Sequence, residues 1–405
     1  MRSSRSLSCI PQSDYNPRMH YFDWTATTPM SRHAIDVYSE TACKYIGNPS
    51  STHPLGQEAK ARLDQERAHI AGLLGAKAKD VYFTSGGTES DSIVLSSLLQ
   101  SPSPGEIITT GIEHSAVLEF RKTLENAGWK FTAIRCPGGY LNLEDLRAAL
   151  NDKVRMVCLM KVNNVTGTVL DTVGAVKIVR EYSRQIGRPI HIHCDAVQAL
   201  GKIPFNPEQE DLDSAAFSAH KFCGPRGVGI LWCRSKAISS LSRGGGQEKG
   251  LRAGTENLAG ICAMGAALED ITSSIEINYN KVYSYRESLV SAARECGFKI
   301  ISPVECGTFE NPKASPYILN ISVRPVPSEV FLRVMSDKGF CLSAGSACSS
   351  NSRGKAECVL AAMNTDPMDR MSSIRISIGA DNTDDQVQGL CNALRQARQE
   401  LGLWK

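Results

Sequence analysis

Between Asp80 and Cys233 the chain repeats one pattern: a short apolar run, a cluster of small or polar residues, then a helical stretch. Asp80-Val-Tyr-Phe-Thr84 gives way to Ser85-Gly86-Gly87-Thr88, and Ile107-Ile-Thr-Thr110 to Glu113-His114. Val154 to Val162 ends in Asn163-Asn164, and Pro189-Ile-His-Ile-His-Cys194 runs into Asp195. Strands that alternate with helices build mainly parallel sheets. Polar residues delivered at the carboxyl ends of such strands meet at one sheet edge, where open α/β folds bind ligands. The expectation is a large α/β domain with its site on that edge.

Two ionisable residues at strand ends sharpen this. Asp213-Ser-Ala-Ala-Phe-Ser218 continues into Ala-His220-Lys221, a Gly/Pro turn, and a second strand-like run from Val228 to Cys233. A lysine ending a buried strand must be desolvated or used. The bland reading is a snorkelling side chain; the chemical one is a Schiff-base lysine. Asp195 alone reads as a helix cap. A strand-end carboxylate followed by a strand-end lysine is, however, the pair a pyridoxal 5'-phosphate site needs. The lysine bonds the aldehyde, and the carboxylate keeps the pyridine nitrogen protonated so that the ring accepts electrons. Ser85-Gly-Gly-Thr88 turning into a helix offers backbone N–H groups to a phosphate, with the Thr88 hydroxyl beside them. A capped helix explains that turn nearly as well, and no Walker lysine follows it.

Composition narrows the classes further. Among 405 residues, 45 basic and 42 acidic side chains leave a formal +3, which makes no case for nucleic acid or an anionic membrane. No apolar run approaches the roughly 20 residues of a membrane helix. The fourteen cysteines are irregularly spaced, without a CxxC pair or zinc pattern, which suits reduced thiols in the cytoplasm. Strand alternation puts His191 and His193 on one face. Ordinary strand and pocket residues explain them better than a metal site does. Residues 1–18 are Ser/Arg-rich and read as a disordered extension, with an organellar address as the weaker reading.

Past Lys221, Ser242-Arg-Gly-Gly-Gly-Gln247 and Gly250-Leu-Arg-Ala-Gly-Thr255 read as a glycine-rich loop. A long helical region runs from about Ile261 to Cys296. Lys299 to Ser302, Ile318 to Val323 and Met371 to Ile378 read as strands; Val330 to Lys338 and Asp385 to Leu401 read as amphipathic helices. Near the start, Pro29 fits the first turn of the helix carrying Ile35 and Val37. Residues 31–264 are therefore expected as the large domain, with 19–30 and 265–405 as a smaller α+β one. Within the latter, Cys348 alone among the cysteines lies between small polar residues, in Ser343-Ala-Gly-Ser-Ala-Cys-Ser-Ser350, the context of an exposed, mobile thiol.

Asp195-Ala-Val-Gln198, Ser218-Ala-His-Lys221 and the segment ending in Cys348, in that order, resemble the cysteine desulfurases among fold-type I pyridoxal-phosphate enzymes. The resemblance runs from about Met19 to Leu401. It implies a homodimer that converts L-cysteine to L-alanine and leaves the sulfur as a persulfide on Cys348, for iron–sulfur or thiolation pathways. By the same resemblance Lys221 bonds the cofactor, and His114 stacks on its ring and helps move protons. Gly87, Thr88, Asn164, Asp195, Gln198, Ser218 and His220 would hold the cofactor, Asn164 at its phenolic oxygen. Thr255 would reach the phosphate held by the neighbouring subunit. Arg375 would clamp the substrate carboxylate, with Asn48 in the Gly47-Asn-Pro-Ser50 loop and Asn164 nearby. A sulfur-acceptor protein is expected as partner, but the chain stops soon after its last helix, short of the tail that scaffold-docking members carry. Trp24, Gly87 and Arg226 depart from the usual residues of the family. Selenocysteine lyase, another lyase of the same class, or a sulfur-transfer module on the same scaffold are the alternatives.

Overall fold

The computed structural model describes residues 19–344 and 355–402, with 355–358 in backbone only. The chain enters on β1 (His20–Tyr21), and the larger sheet follows as β2 (Val81–Thr84), β3 (Glu106–Thr110), β4 (Lys130–Ile134), β5 (Val154–Met160), β6 (His191–Asp195), β7 (Ser214–Ser218) and β8 (Gly229–Cys233). Its order is β2-β8-β7-β6-β5-β3-β4. From β4 to β7 every pairing is parallel, and β8 alone runs against both its neighbours. Strands of such sheets are covered on both faces and read as continuous apolar runs. Val154-Arg-Met-Val-Cys-Leu-Met160 does so, buried throughout except at Arg155. The mainly parallel α/β sheet expected from the alternation is present.

Helix starts follow capping chemistry. The helix bearing Ile35 and Val37 is α1 (Arg32–Lys44), and Pro29 lies before it rather than in its first turn. Ser31 is the cap, its hydroxyl accepting from Ala34 N at 3.1 Å. That bond satisfies a first-turn amide, which a proline's fixed φ does not. α2 (Pro54–Leu73) begins on His53 with proline in its first turn. The long helical region is two helices, Leu258–Ser273 and Ile275–Glu295, bent by 70°. At the break Thr272 Oγ1 donates to Leu268 O at 2.6 Å and Ser274 Oγ to Asp270 O at 3.1 Å. Hydroxyls that bond back to the preceding turn compete with helix continuation. No single described helix is long and apolar enough to cross a membrane.

A second, antiparallel sheet holds β9 (Lys299–Ile300), β10 (Ile318–Ser322), β12 (Ser343–Ala344) and β13 (Ser373–Ser377) in the order β12-β13-β10-β9, while β1 pairs in parallel with β11 (Phe340–Cys341). Residues 22–28 connect the two sheets. Ser377 N donates to Phe22 O at 2.8 Å, and Thr25 N to Ser377 Oγ at 3.0 Å. Three residues on, Thr28 N donates to His220 O at 2.9 Å and Thr28 Oγ1 accepts from Cys223 N at 2.8 Å. Trp24 covers the turn after β13 so closely that a Cβ on Gly379 would lie 2.2 Å from its ring. Gly379→Ala should therefore displace the indole and destabilise the protein by about 1–3 kcal/mol, as overpacking does. Urea unfolding would show it as a lowered midpoint at unchanged slope.

Candidate active site

The carboxyl ends of β3, β5, β6 and β7 supply His114, Met160, Asp195 and Ser218 to one cavity of ≈ 250 Å³, which Gly87, Thr88, Asn164, Gln198, His220, Lys221 and Arg375 also line. Gly87 and Thr88 open α3 (Gly87–Ser97), directly after β2. The turn needs both glycines. Gly86 sits at φ +154°, a value side chains avoid, and a Cβ on Gly87 would lie 2.5 Å from Val197 Cγ2. Glycine at 87 thus lets the start of α3 close onto the turn after Asp195.

Lys221 reaches across the pocket edge to the connecting segment, donating to Thr25 O at 2.8 Å and Ala26 O at 2.7 Å. Gln198 Nε2 donates to the same Thr25 carbonyl at 3.1 Å, and its Oε1 accepts from Lys202 Nζ at 2.6 Å. Burial, and then the positive charge of Lys221, lowers the Lys202 ammonium to about 7. His220 is lowered to about 4 by the same two causes, and its Nδ1 lies 3.1 Å from Thr27 Oγ1. Asp195 is 6% exposed and accepts from Val197 N at 3.0 Å. His114 is both a cap and a pocket residue: its Nδ1 accepts from Ala116 N at 3.1 Å.

Arg375, on β13, is also buried. Its Nη1 donates to Asn164 O at 3.0 Å and its Nη2 to Asp23 Oδ1 at 3.0 Å, which leaves Nε as a buried donor without a partner. A planar fork with a donor unused is suited to a carboxylate ligand. A lysine, a facing carboxylate and an amide-lined helix start in one cavity fit pyridoxal phosphate, with Lys221 for its aldehyde, Asp195 for its ring nitrogen and the start of α3 for its phosphate.

A family model described as Aminotransferase class-V matches residues 20–390. The chain belongs to the class-V aminotransferases. A "NifS/IcsS protein homolog" of Lactobacillus delbrueckii subsp. bulgaricus is 35% identical over 95% of this class-V chain and 98% of its own. "Cysteine desulfurase IscS" of Dictyoglomus turgidum is 34% identical over 94% and 95%. Among solved structures, a "NIFS-LIKE PROTEIN" superposes with a TM-score of 0.86 at 32% identity, covering 95% of this chain and all of that one. The fold is thus that of fold-type I pyridoxal-phosphate enzymes, as the motifs implied.

Within this class-V chain the cavity gathers the expected cofactor residues Gly87, Thr88, His114, Asn164, Asp195, Gln198, Ser218, His220 and Lys221, and also Arg375. Asn48 and Thr255 are exposed and stand outside its lining; Asn48 Oδ1 instead accepts from Ser50 N at 2.9 Å. Cys348 lies outside the described residues. Sequence reading missed Thr25 and Ala26, which act through carbonyls that no side chain reports, and Asp91, which the four-residue helical repeat from Gly87 could have placed on the pocket face. It also gave Glu113 no role. That carboxyl is buried, its Oε1 accepting from Thr110 Oγ1 at 2.5 Å and Met160 N at 2.9 Å, while Oε2 has no partner.

Burial first, with Asp195 and Asp91 nearby, raises Glu113 from 4.5 to about 8. A carboxyl raised on folding contributes stability that is whole below about 4.5 and lost as pH climbs through about 8. Glu113→Gln keeps the Oε1 acceptor without an ionisable group. Its stability should vary less between pH 4.5 and 8 than that of the wild type, as urea midpoints across that range would register.

Proposed function

We propose that the protein is a homodimeric cysteine desulfurase that takes sulfur from L-cysteine onto Cys348 and releases L-alanine. What carries the reading is the convergence of Lys221, Asp195, His114 and Arg375 on one cavity, in a chain about one-third identical to named cysteine desulfurases along nearly its whole length. When bound, pyridoxal phosphate supplies the electron sink that labilises the bonds around the substrate's α-carbon. The protein's own groups do the rest. Arg375 binds the substrate carboxylate through its fork, and Asn164, whose carbonyl already holds that guanidinium, lies beside it. Asp195 is the residue that would hold the ring nitrogen in its protonated form. Lys221 Nζ and His114 are the groups placed to hold and move the α-proton.

The Cys348 thiolate then attacks the substrate sulfur. The S–S bond forms as the Cβ–S bond breaks, the electron pair stays with carbon, and a proton completes the methyl group of alanine. β12 supports this role, since Ser343 pairs with Arg375 and Ala344 with Ile374. Four peptide units separate Ala344 from Cys348, a span of at most roughly 14 Å. The acceptor of Cys348 is an external thiol or protein in a reducing, cytoplasmic compartment. Thr255 and Asn48, exposed within one subunit, are assigned to the neighbouring subunit's site and the substrate mouth. In this reading 19–30 and 265–405 form the smaller domain beside 31–264.

Cys348→Ser should keep the yellow colour of the bound cofactor yet release almost no alanine from L-cysteine. Brief cysteine exposure of the wild type should leave added sulfur on Cys348 by mass spectrometry. Added sulfur on Cys341 instead, with Cys348→Ser fully active, removes the nucleophile from this reading; a colourless protein that takes up no pyridoxal phosphate removes the reading itself. Running the same assay with L-selenocysteine separates the lyase alternative.

Arg375→Lys replaces a fork by a point charge. Loss of a charge-assisted hydrogen bond corresponds to about a 10- to 100-fold rise in KM for cysteine. Steady-state kinetics with unchanged KM would return Arg375 to its bonds with Asp23 and Asn164.

A further inference from the structure

The two histidines that alternate on β6 belong to no group of three or more His, Cys, Asp or Glu placed to hold an ion among the described residues. They are instead joined in series. Asp91 Oδ1 lies 3.0 Å from His193 Nε2, His193 Nδ1 lies 2.7 Å from Ser214 Oγ, and the same oxygen lies 2.8 Å from His191 Nε2. Asp91 lines the cavity, whereas His191 stands at the opposite end of β6, partly exposed. Between them His193 and Ser214 have no exposed surface. The row therefore runs along β6 from the pocket to the opposite end of the strand, through a fully buried interior.

We infer that Asp91, His193, Ser214 and His191 form a proton wire, through which Asp91 exchanges one proton with solvent at the opposite end of β6.

The donor count requires one polarity or the other. With Asp91 protonated, its O–H donates to His193 Nε2, His193 Nδ1–H donates to Ser214 Oγ, and the serine O–H donates to His191 Nε2. With Asp91 ionised every bond reverses, from His191 Nε2–H through Ser214 and His193 to the carboxylate. In both states each link has one donor and one acceptor, so no buried polar atom of the row is left unmatched. Passing from the second state to the first moves three protons by one step each. His191 loses the proton on Nε2 and regains one on Nδ1 from solvent; only O–H and N–H bonds change, and no electrons are transferred. The net result is one proton carried from solvent to Asp91.

The surroundings favour the protonated end state at the pocket. Burial, and then the neighbouring Asp195, raises Asp91 well above the usual carboxylate range. Burial lowers His193 to about 4, so its ring is neutral and has one donor and one acceptor nitrogen, as a relay needs. Glu113 and Cys158 also stand at this end, where burial raises both, and Asp91 shares its cavity with His114, His220, Lys221 and Arg375. Around His191 stand Asp213, Arg180 and Arg234, and burial again lowers the ring, to about 4. Two carboxyls close together in a buried pocket cannot both ionise without a counter-charge. The wire supplies the adjusting proton from below, without opening the pocket from above. It depends on no substrate assignment.

Infrared spectra of the full-length protein as purified test this, because the carbonyl stretch of a protonated carboxyl stands apart from carboxylate bands. The wild-type spectrum at pH 7 should contain such a band that Asp91→Asn lacks, and transfer to D2O should shift it rapidly. Ser214→Ala and His191→Phe break the row at different links. In each the Asp91 band should persist but exchange at least about tenfold more slowly, the factor equivalent to one buried hydrogen bond lost from the path. Backbone amide exchange of the same samples should stay as in the wild type. Either variant alone decides the matter if the other does not fold. Absence of a band that depends on Asp91 overturns the wire, as does wild-type exchange in either variant. Slowing matched by equal slowing of the amides overturns it as well.

Discussion

The bond between Lys221 and the carbonyls of Thr25 and Ala26 is the contact on which the arrangement of the site depends. A half-buried ammonium needs several acceptors. Two consecutive carbonyls can supply them only if the segment carrying them is not strand at that point. Residues 24–26 form a turn, freed from the β1 pairing just before and anchored to Ser377 on one side and His220 on the other. Gln198 donates to the same Thr25 carbonyl, so the segment, the end of β7 and the turn after β6 share one acceptor. A ligand that takes Lys221 away from these carbonyls therefore alters the link between the two sheets.

Beneath the pocket the fold concentrates charge where burial disfavours it. Asp195, Asp91 and Glu113 come from three different elements and act on one another. Parallel-sheet geometry favours this, since β3, β5, β6 and β7 end on the same edge and each end is followed by polar residues, while Asp91 reaches it from α3. Burial answers by favouring the neutral forms of Glu113 and Asp91. Mutual repulsion is thus relieved by protons rather than by counter-ions. A cationic ring above Asp195 would change that balance, and Asp91 with its row of hydrogen bonds is the group able to adjust.

How far the sequence reveals all this depends on which atoms do the work. Lys221 and Asp195 are side chains at the ends of apolar strands, so alternation and polarity expose them directly, whereas the roles of His114 and Arg375 come only from the family resemblance. Gly87 was legible as a turn residue, while its real constraint, the methyl of Val197, comes from a chain segment more than a hundred residues away. Carbonyls such as Thr25 O have no residue-type signature at all. The break at Ser274 was hidden because Thr-Ser-Ser scarcely interrupts helical periodicity, although its hydroxyls end the helix. Asn48 and Thr255 show a different limit: both lie outside the cavity of the single chain, and the role proposed for Thr255 needs a second subunit.

The division of labour between the two sheets follows from where the elements anchor. Lys221, Asp195 and His114 are fixed by the larger sheet. Arg375, and the chain leading to Cys348, are fixed by the β12–β13 ladder, in which Ser343 stands opposite Arg375. The group proposed to grip the substrate and the strand that precedes the proposed sulfur acceptor therefore share one frame. Any shift of the smaller sheet moves Arg375 and β12 together relative to Lys221. Residues 22–28, bonded to both frames, help to limit that shift. A bulky Trp24 pressed against Gly379 is a physical means of doing so, because an indole with no room to rotate transmits displacement instead of absorbing it.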